Sequence, residues 1–180
     1  MGLPMGFLIQ NVKVVPALAP ATKNAAADAD WVCLKGYDKV GILFYVTQGE
    51  ASTTALTVDS ATDVAGTGVN AGITMNDWWS IEDTAIGTDA GTNSDTWVKG
   101  VAAATITTSA TASGASMYYI EIDADDLVSG TSAFAAATQY DCIQLKIGGS
   151  NVADIGCAVY FLFPARYAQA VSPTPSAIID

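Results

Sequence analysis

The sequence predicts an all-β protein, a single β-sandwich of jelly-roll or Greek-key type, and three observations lead there. Roughly eight or nine β-like runs follow one another, with Gly-, Pro-, Ser- and Asp-rich turns about every 8–12 residues. No segment keeps a helical apolar period for more than a turn or two. Several connections are longer than a hairpin needs, which favours a jelly roll or Greek key over a simple meander. The chain of 180 residues fits one domain, long enough to bury roughly 70% of its unfolded surface without metals or disulfides.

The elements follow in order. Residues 7–15 (FLIQNVKVV) read as a first strand closed by Pro16, and 17–30 as a small-residue linker ending in the ADAD turn. A short strand at 31–34 turns at Gly36 into 39–47, where Val40, Ile42, Phe44 and Val46 alternate cleanly. A strand at 53–58 carries alternating Thr. Residues 59–71 and 86–95 read as long loops on either side of a strand at 73–82. Residues 96–108 read as one long strand, or two kinked at Gly100. The runs 117–123, 140–147 and 155–163 complete the set, and 127–137 has room for one short helix. The tail 172–180, with two prolines, is expected to be extended. The expected organisation is an N-terminal strand, arm and linker over 1–30, a sandwich over 31–171 and a tail over 172–180.

The last three runs are apolar on both faces. A sandwich strand with one wet face alternates apolar and polar residues. Here Tyr118, Ile120 and Ile122 share one face, while Tyr119 stands on the other with Glu121 and Asp123. In the final run Ile155, Cys157, Val159, Phe161 and Phe163 share a face, and Ala158, Tyr160 and Leu162 take the opposite one. The second face must be covered by another sheet or by another copy of the chain. Tyr119, Tyr160 and Leu162 are therefore candidate interface residues. The adjacent Trp78 and Trp79 join them: on a strand they point to opposite faces, one to the core and one outward, where an indole could anchor a protein contact or stack on a sugar. Trp97 is expected in the same layer. Arg166, one of only seven basic residues, follows the last strand beside Tyr167. It suits a salt bridge within the chain or to a neighbouring subunit.

Composition excludes several function classes. Charged residues make up 14%, well below the usual quarter or so, and mean hydropathy is +0.33, as suits a chain packed against others. The net charge of −11 and the absence of a basic cluster argue against nucleic-acid binding. Histidine is absent, so no Ser–His–Asp or Cys–His centre exists and no His-containing zinc site. The three cysteines match no zinc spacing and read as buried, reduced thiols, although Cys142 and Cys157 could face each other across strands. The uncharged span 101–120 is too rich in Thr, Ser, Ala and Gly to insert into a bilayer. No cofactor and no membrane contact are expected.

The remaining motifs are weak. Gly66-Thr67-Gly68-Val69-Asn70-Ala71 fits the loose G-x-G-x-x-A pattern, but a strand-like segment follows it instead of a helix, so it reads as a sandwich loop. Asp123, Asp125 and Asp126 could hold calcium, but the spacing is not that of an EF-hand, and a strand end with a local turn accounts for them. Glu82 and Glu121 could form a hydrolytic carboxylate pair only if the fold brought them together.

The order of ADADWVCLKGYDKVGILFYVTQG, DVAGTGVN, YYIEIDADDL, YDCIQLKIGG and CAVYFLFPARYAQ resembles small structural proteins encoded beside the major capsid gene of tailed bacteriophages, the head decoration or cement proteins. The resemblance covers most of 31–169 and rests chiefly on IEIDADDL and the final strand ending in PARY. It implies a non-enzymatic virion protein on the capsid exterior, assembled in the host cytoplasm. It also implies a homotrimer that braces the major capsid protein, with the termini as grips on the shell. A carbohydrate- or receptor-binding sandwich of a phage fibre or tail, using Trp78 or Trp79, is the alternative.

Overall fold

The computed structural model describes residues 12–83, 96–110, 114–129 and 138–163. Among them lie thirteen strands: β1 (Lys13–Thr22), β2 (Ala27–Asp28), β3 (Val32–Cys33), β4 (Lys39–Gln48), β5 (Ala55–Ala61), β6 (Asp77–Asp83), β7 (Val98–Lys99), β8 (Ile106–Thr107), β9 (Gly114–Asp123), β10 (Val128–Ser129), β11 (Thr138–Gln139), β12 (Cys142–Ile147) and β13 (Ile155–Leu162). One sheet has the order β1-β13-β4-β9-β6-β7, and the facing sheet has β2-β12-β5-β8 with β3 also on β12. All pairings are antiparallel. The chain is a β-sandwich.

The connectivity decides between the two expected topologies. The strands nest as pairs from the chain ends inward: β1 with β13, β2 and β3 with β12, β4 with β9, and β5 with β8. Successive pairs alternate between the sheets. That is a long hairpin wrapped around a core, a jelly roll. At the tip of the hairpin, between β5 and β8, the chain inserts β6 and β7. They return to the first sheet and widen it beyond β9. Both tryptophans of the Trp78-Trp79 pair lie on this insertion.

Several expected boundaries move. The expected linker 17–30 is partly strand: β1 runs on through Pro16 and Pro20 to Thr22 and pairs with β13, and β2 follows. Both prolines are tolerated because β1 is an edge strand, and the register shifts after Pro16 and again after Leu18. Strand β5 continues through Asp59–Ala61, read above as loop. The Asp59 carboxylate accepts the Gly72 N–H at 2.8 Å and lies 3.7 Å from Lys146 Nζ, so a strand can bury it. Beyond it, Asp63 Oδ1 accepts the N–H groups of Ala65 and Thr67, a local turn with Gly66 and Gly68 at positive φ. The glycine-rich segment is thus a loop, as its sequence predicts. The 96–108 run is two short strands on different sheets. Gly100 lies where they part, flat against Trp78: a Cβ there would come 2.0 Å from the indole. A 3-10 turn at Ala124–Leu127 precedes β10, while 130–137, the rest of the expected helix, lies outside the described residues.

The core lies between the sheets. Val40, Ile42, Phe44 and Val46 of β4 are buried, as their alternation predicts, with Tyr118, Ile120 and Ile122 of β9. The facing sheet supplies Leu56, Val58, Ile143, Leu145 and Ile147. Two buried tyrosines also bond through their hydroxyls. Tyr160 Oη accepts the Leu145 N–H at 2.9 Å and donates to the Asp30 carbonyl at 3.1 Å, tying β13 to the opposite sheet. Tyr118 Oη accepts the Ser109 N–H at 2.7 Å and lies 3.2 Å from Glu82 Oε1. Burial raises the pKa of both phenols, so they remain neutral donors.

At one end, Asp154 joins two turns. Its buried carboxylate accepts from Gly49 N at 3.0 Å, Ser52 Oγ at 2.5 Å and Ser150 Oγ at 2.6 Å. Burial alone would raise its pKa, but these donors outweigh it and hold the group below the ordinary aspartate value. Close by, Lys23 is fully buried, and its Nζ has no hydrogen-bond partner. Its Cδ would sit 3.3 Å from a Cβ at position 156, so Gly156 makes room for it beside Phe44. Desolvation lowers the Lys23 pKa.

Candidate interaction surface

The outward face of the six-stranded sheet is built by the second set of alternating residues. One register row crosses all six strands: Pro16, Val159, Leu43, Tyr119, Trp79 and Lys99 stand side by side. The next row holds Cys157, Tyr45, Met117 and Ile81, and the row on the other side runs from Val14 and Phe161 over Gly41 to Glu121 and Asp77. Cross-strand neighbours on one face touch, so the first two rows form a continuous apolar stripe across strands about 4.8 Å apart. Val14, Tyr45 and Ile155 on it are 42%, 37% and 47% exposed.

The stripe ends in an aromatic cluster. The Tyr119 ring centroid is 6.1 Å from that of Trp79 and 6.3 Å from that of Trp97, the latter edge-on, separations typical of favourable aromatic pairs. Lys99 Nζ lies 5.4 Å from the centroid of Trp79, in cation–π range, and 2.6 Å from Asp77 Oδ1. Tyr119 donates to Glu121 Oε1 at 3.1 Å, and Lys39 bridges Glu121 and Asp123 at 3.4 and 3.5 Å. Burial, with the Glu121 charge second, raises the Tyr119 pKa. Gly41 permits the arrangement, because any Cβ there would fall 2.3 Å from Tyr119 Oη. The face therefore offers an apolar centre with charge along one margin, the layout of a protein contact surface.

The expected site residues divide. Trp79 and Tyr119 come together on this face, joined by Trp97. Trp78 points the other way: it packs against the core and donates its Nε1 to the Val101 carbonyl at 2.8 Å. Tyr160 and Leu162 are fully buried, so they are core and not interface. The reason is the phase of β13. Its smaller set, Gly156, Ala158, Tyr160 and Leu162, faces the opposite sheet, and the more uniformly apolar set faces out. Arg166 and Tyr167 lie outside the described residues. Pro16, Leu43 and Val159 were not singled out from sequence, and only their pairing register could have found them.

Glu82 and Glu121 do not come together. Glu82 sits on the Tyr118 side of the sheet and Glu121 on the Tyr119 side, so the sheet separates them. Asp123 pairs with Lys39, and Asp125 and Asp126 lie in the 3-10 turn. No group of three or more potential metal ligands occurs among the described residues. No helix among them is long and apolar enough to cross a membrane.

No family model matches this sequence, and no curated protein matches it. Among solved structures, a "putative sugar binding protein" from Bacteroides thetaiotaomicron is similar at 10% identity and a TM-score of 0.30, over 84% of this chain and 83% of that one. A chain of infectious bursal disease virus, Gt strain, is similar at 10% identity and a TM-score of 0.20, over 91% of this chain and 45% of that one. The VP2 subviral particle of the same virus gives 11% identity and a TM-score of 0.16, over 85% and 41%. This chain thus spans less than half of those viral chains. Overlaps this loose carry no argument about function, which rests on the surface itself.

Proposed function

We propose that this chain is a structural virion protein, a head decoration or cement protein of a tailed bacteriophage. In this reading it assembles as a homotrimer through the outer face of its six-stranded sheet. It then binds the major capsid protein on the capsid exterior by its sandwich edges and termini. The observation that carries the proposal is the row Pro16–Val159–Leu43–Tyr119–Trp79, an apolar stripe five strands wide. Burying such a stripe between copies supplies association without a strong single contact, at about 25 cal/mol per Å² of apolar surface. An interface of ordinary size, about 1,600 Å² in total, repeated around a threefold closes on itself. The lack of histidine favours a binding role over catalysis. The phage assignment itself rests on the sequence resemblance.

The test is mass in solution followed by mixing with undecorated capsids. A trimer that co-sediments with shells supports the proposal. A monomer that ignores shells overturns it. The carbohydrate-binding alternative draws on the Trp79–Tyr119–Trp97 cluster, in which Trp97 is exposed and could stack on a sugar. A glycan array on the wild type and on a Trp97→Ala variant separates the two, because glycan binding would be lost with Trp97 while trimer formation would persist.

A further inference from the structure

Cys33 on β3 and Cys142 on β12 stand directly opposite each other in the second sheet. The partner expected from sequence, Cys157, lies on β13 in the other sheet. The Leu34 N–H donates to the Asp141 carbonyl at 2.7 Å, which makes 34 and 141 a hydrogen-bonded pair and leaves the two cysteines at the adjacent non-hydrogen-bonded position. At such positions opposite Cα atoms approach to about 4.5 Å, inside the window of about 4.4–6.8 Å that a disulfide spans. Both side chains point away from the core, because Val32 and Ile143 beside them fill it. Cys33 Sγ accepts the Lys35 N–H at 3.4 Å. The neighbouring Cys142 and, behind it, this N–H lower the Cys33 pKa, while the neighbouring Cys33 and burial raise that of Cys142. Cys33 is partly exposed and Cys142 is buried, so an incoming reagent meets Cys33 first.

We infer that Cys33 and Cys142 form a redox-active dithiol in which Cys33 is the attacking thiol and Cys142 the resolving one. The oxidant is a low-molecular-weight disulfide such as oxidised glutathione. The Cys33 thiolate attacks one glutathione sulfur, the glutathione S–S bond breaks, and one glutathione thiolate leaves. Cys142 then gives its proton to solvent and attacks Cys33 Sγ, and the second glutathione leaves as thiolate. Two protein thiols are oxidised and one glutathione disulfide is reduced to two thiols. The product staples β3, at the margin of its sheet, to β12 and closes most of the jelly roll into one covalent loop. This inference does not depend on the proposed virion role.

The experiment incubates the full reduced chain with oxidised glutathione under native conditions, counts titratable thiols and maps the linked peptides. The expected result is a fall from three thiols to one, a Cys33–Cys142 peptide, and a free Cys157. In Cys142→Ser one glutathionyl group stays on Cys33, and in Cys33→Ser none is acquired at Cys142. Three thiols persisting in the folded wild type, or a linkage through Cys157, would overturn the inference. The wild-type map decides even if a serine variant folds poorly.

Discussion

On strand β13 the inner face carries Gly156, Ala158, Tyr160 and Leu162, and the outer face carries Ile155, Cys157, Val159 and Phe161. By apolar content alone the outer set is the better core. Yet the inner set is buried and Ile155 is exposed. The inner face wins through fit. Gly156 leaves space for Phe44 and the Lys23 stem, and Tyr160 reaches the opposite backbone with its hydroxyl. The outer face has no such partners, and its residues match one another across strands. The inner face belongs to the fold, and the outer face is available for association.

That contrast is breakable by substitution. The largest effect belongs to Tyr160→Ala. It removes a fully buried ring and both cross-sheet hydrogen bonds, and should cost about 3–5 kcal/mol in urea unfolding. Tyr160→Phe keeps the ring but strands the Leu145 N–H, for about 1–3 kcal/mol. If either leaves stability unchanged, the inner face is misassigned. Neither should alter association of whatever protein remains folded.

Asp154→Asn comes next, at about 1.5–3 kcal/mol, because charge-assisted hydrogen bonds to three donors weaken. The pH dependence follows from the depressed pKa. The unfolded carboxyl titrates near about 3.9, so the stabilisation is present above that pH and disappears as pH falls through the lower folded value. Wild type should therefore lose stability steeply below about pH 4, and the variant less so, as acid melts followed by circular dichroism would register.

Lys23→Met should act in the other direction. The wild-type amine is buried without a partner, so its folded pKa lies below the unfolded value. Stability then rises with pH between those two values as the unfolded chain holds the extra proton. Replacing the amine by a thioether should raise stability by about 1–2 kcal/mol near neutral pH and flatten that rise. A destabilised variant would mean that the amine is satisfied after all.

Much of this was legible in the sequence. Strand β4 announced its inner face because Val40, Ile42, Phe44 and Val46 fall at alternate positions among Gly41, Tyr45 and Thr47, and the Trp78-Trp79 pair announced a split between faces. The jelly-roll nesting and the row across six strands were not legible, because both depend on which strands pair and in what register. The sequence leaves the phase of β13 open for the same reason: with both faces apolar, hydropathy is silent, and only packing volume and the Tyr160 hydroxyl choose. Strand β1 was hidden by Pro16 and Pro20, which local propensity treats as breaks and an edge strand accommodates. Asp59 was hidden because its satisfying partners, Gly72 and Lys146, come from elsewhere in the chain.

The smallest effect on the fold, and the most direct test of the central claim, comes from Leu43→Ser combined with Val159→Ser at the middle of the outer row. Both positions are only partly buried, so unfolding free energy should change by about 1 kcal/mol or less. The measurement is sedimentation equilibrium of wild type and variant at matched concentration. Wild type is expected as a trimer and the double variant as a folded monomer. A wild-type monomer, or a variant that still forms the wild-type oligomer, would contradict it.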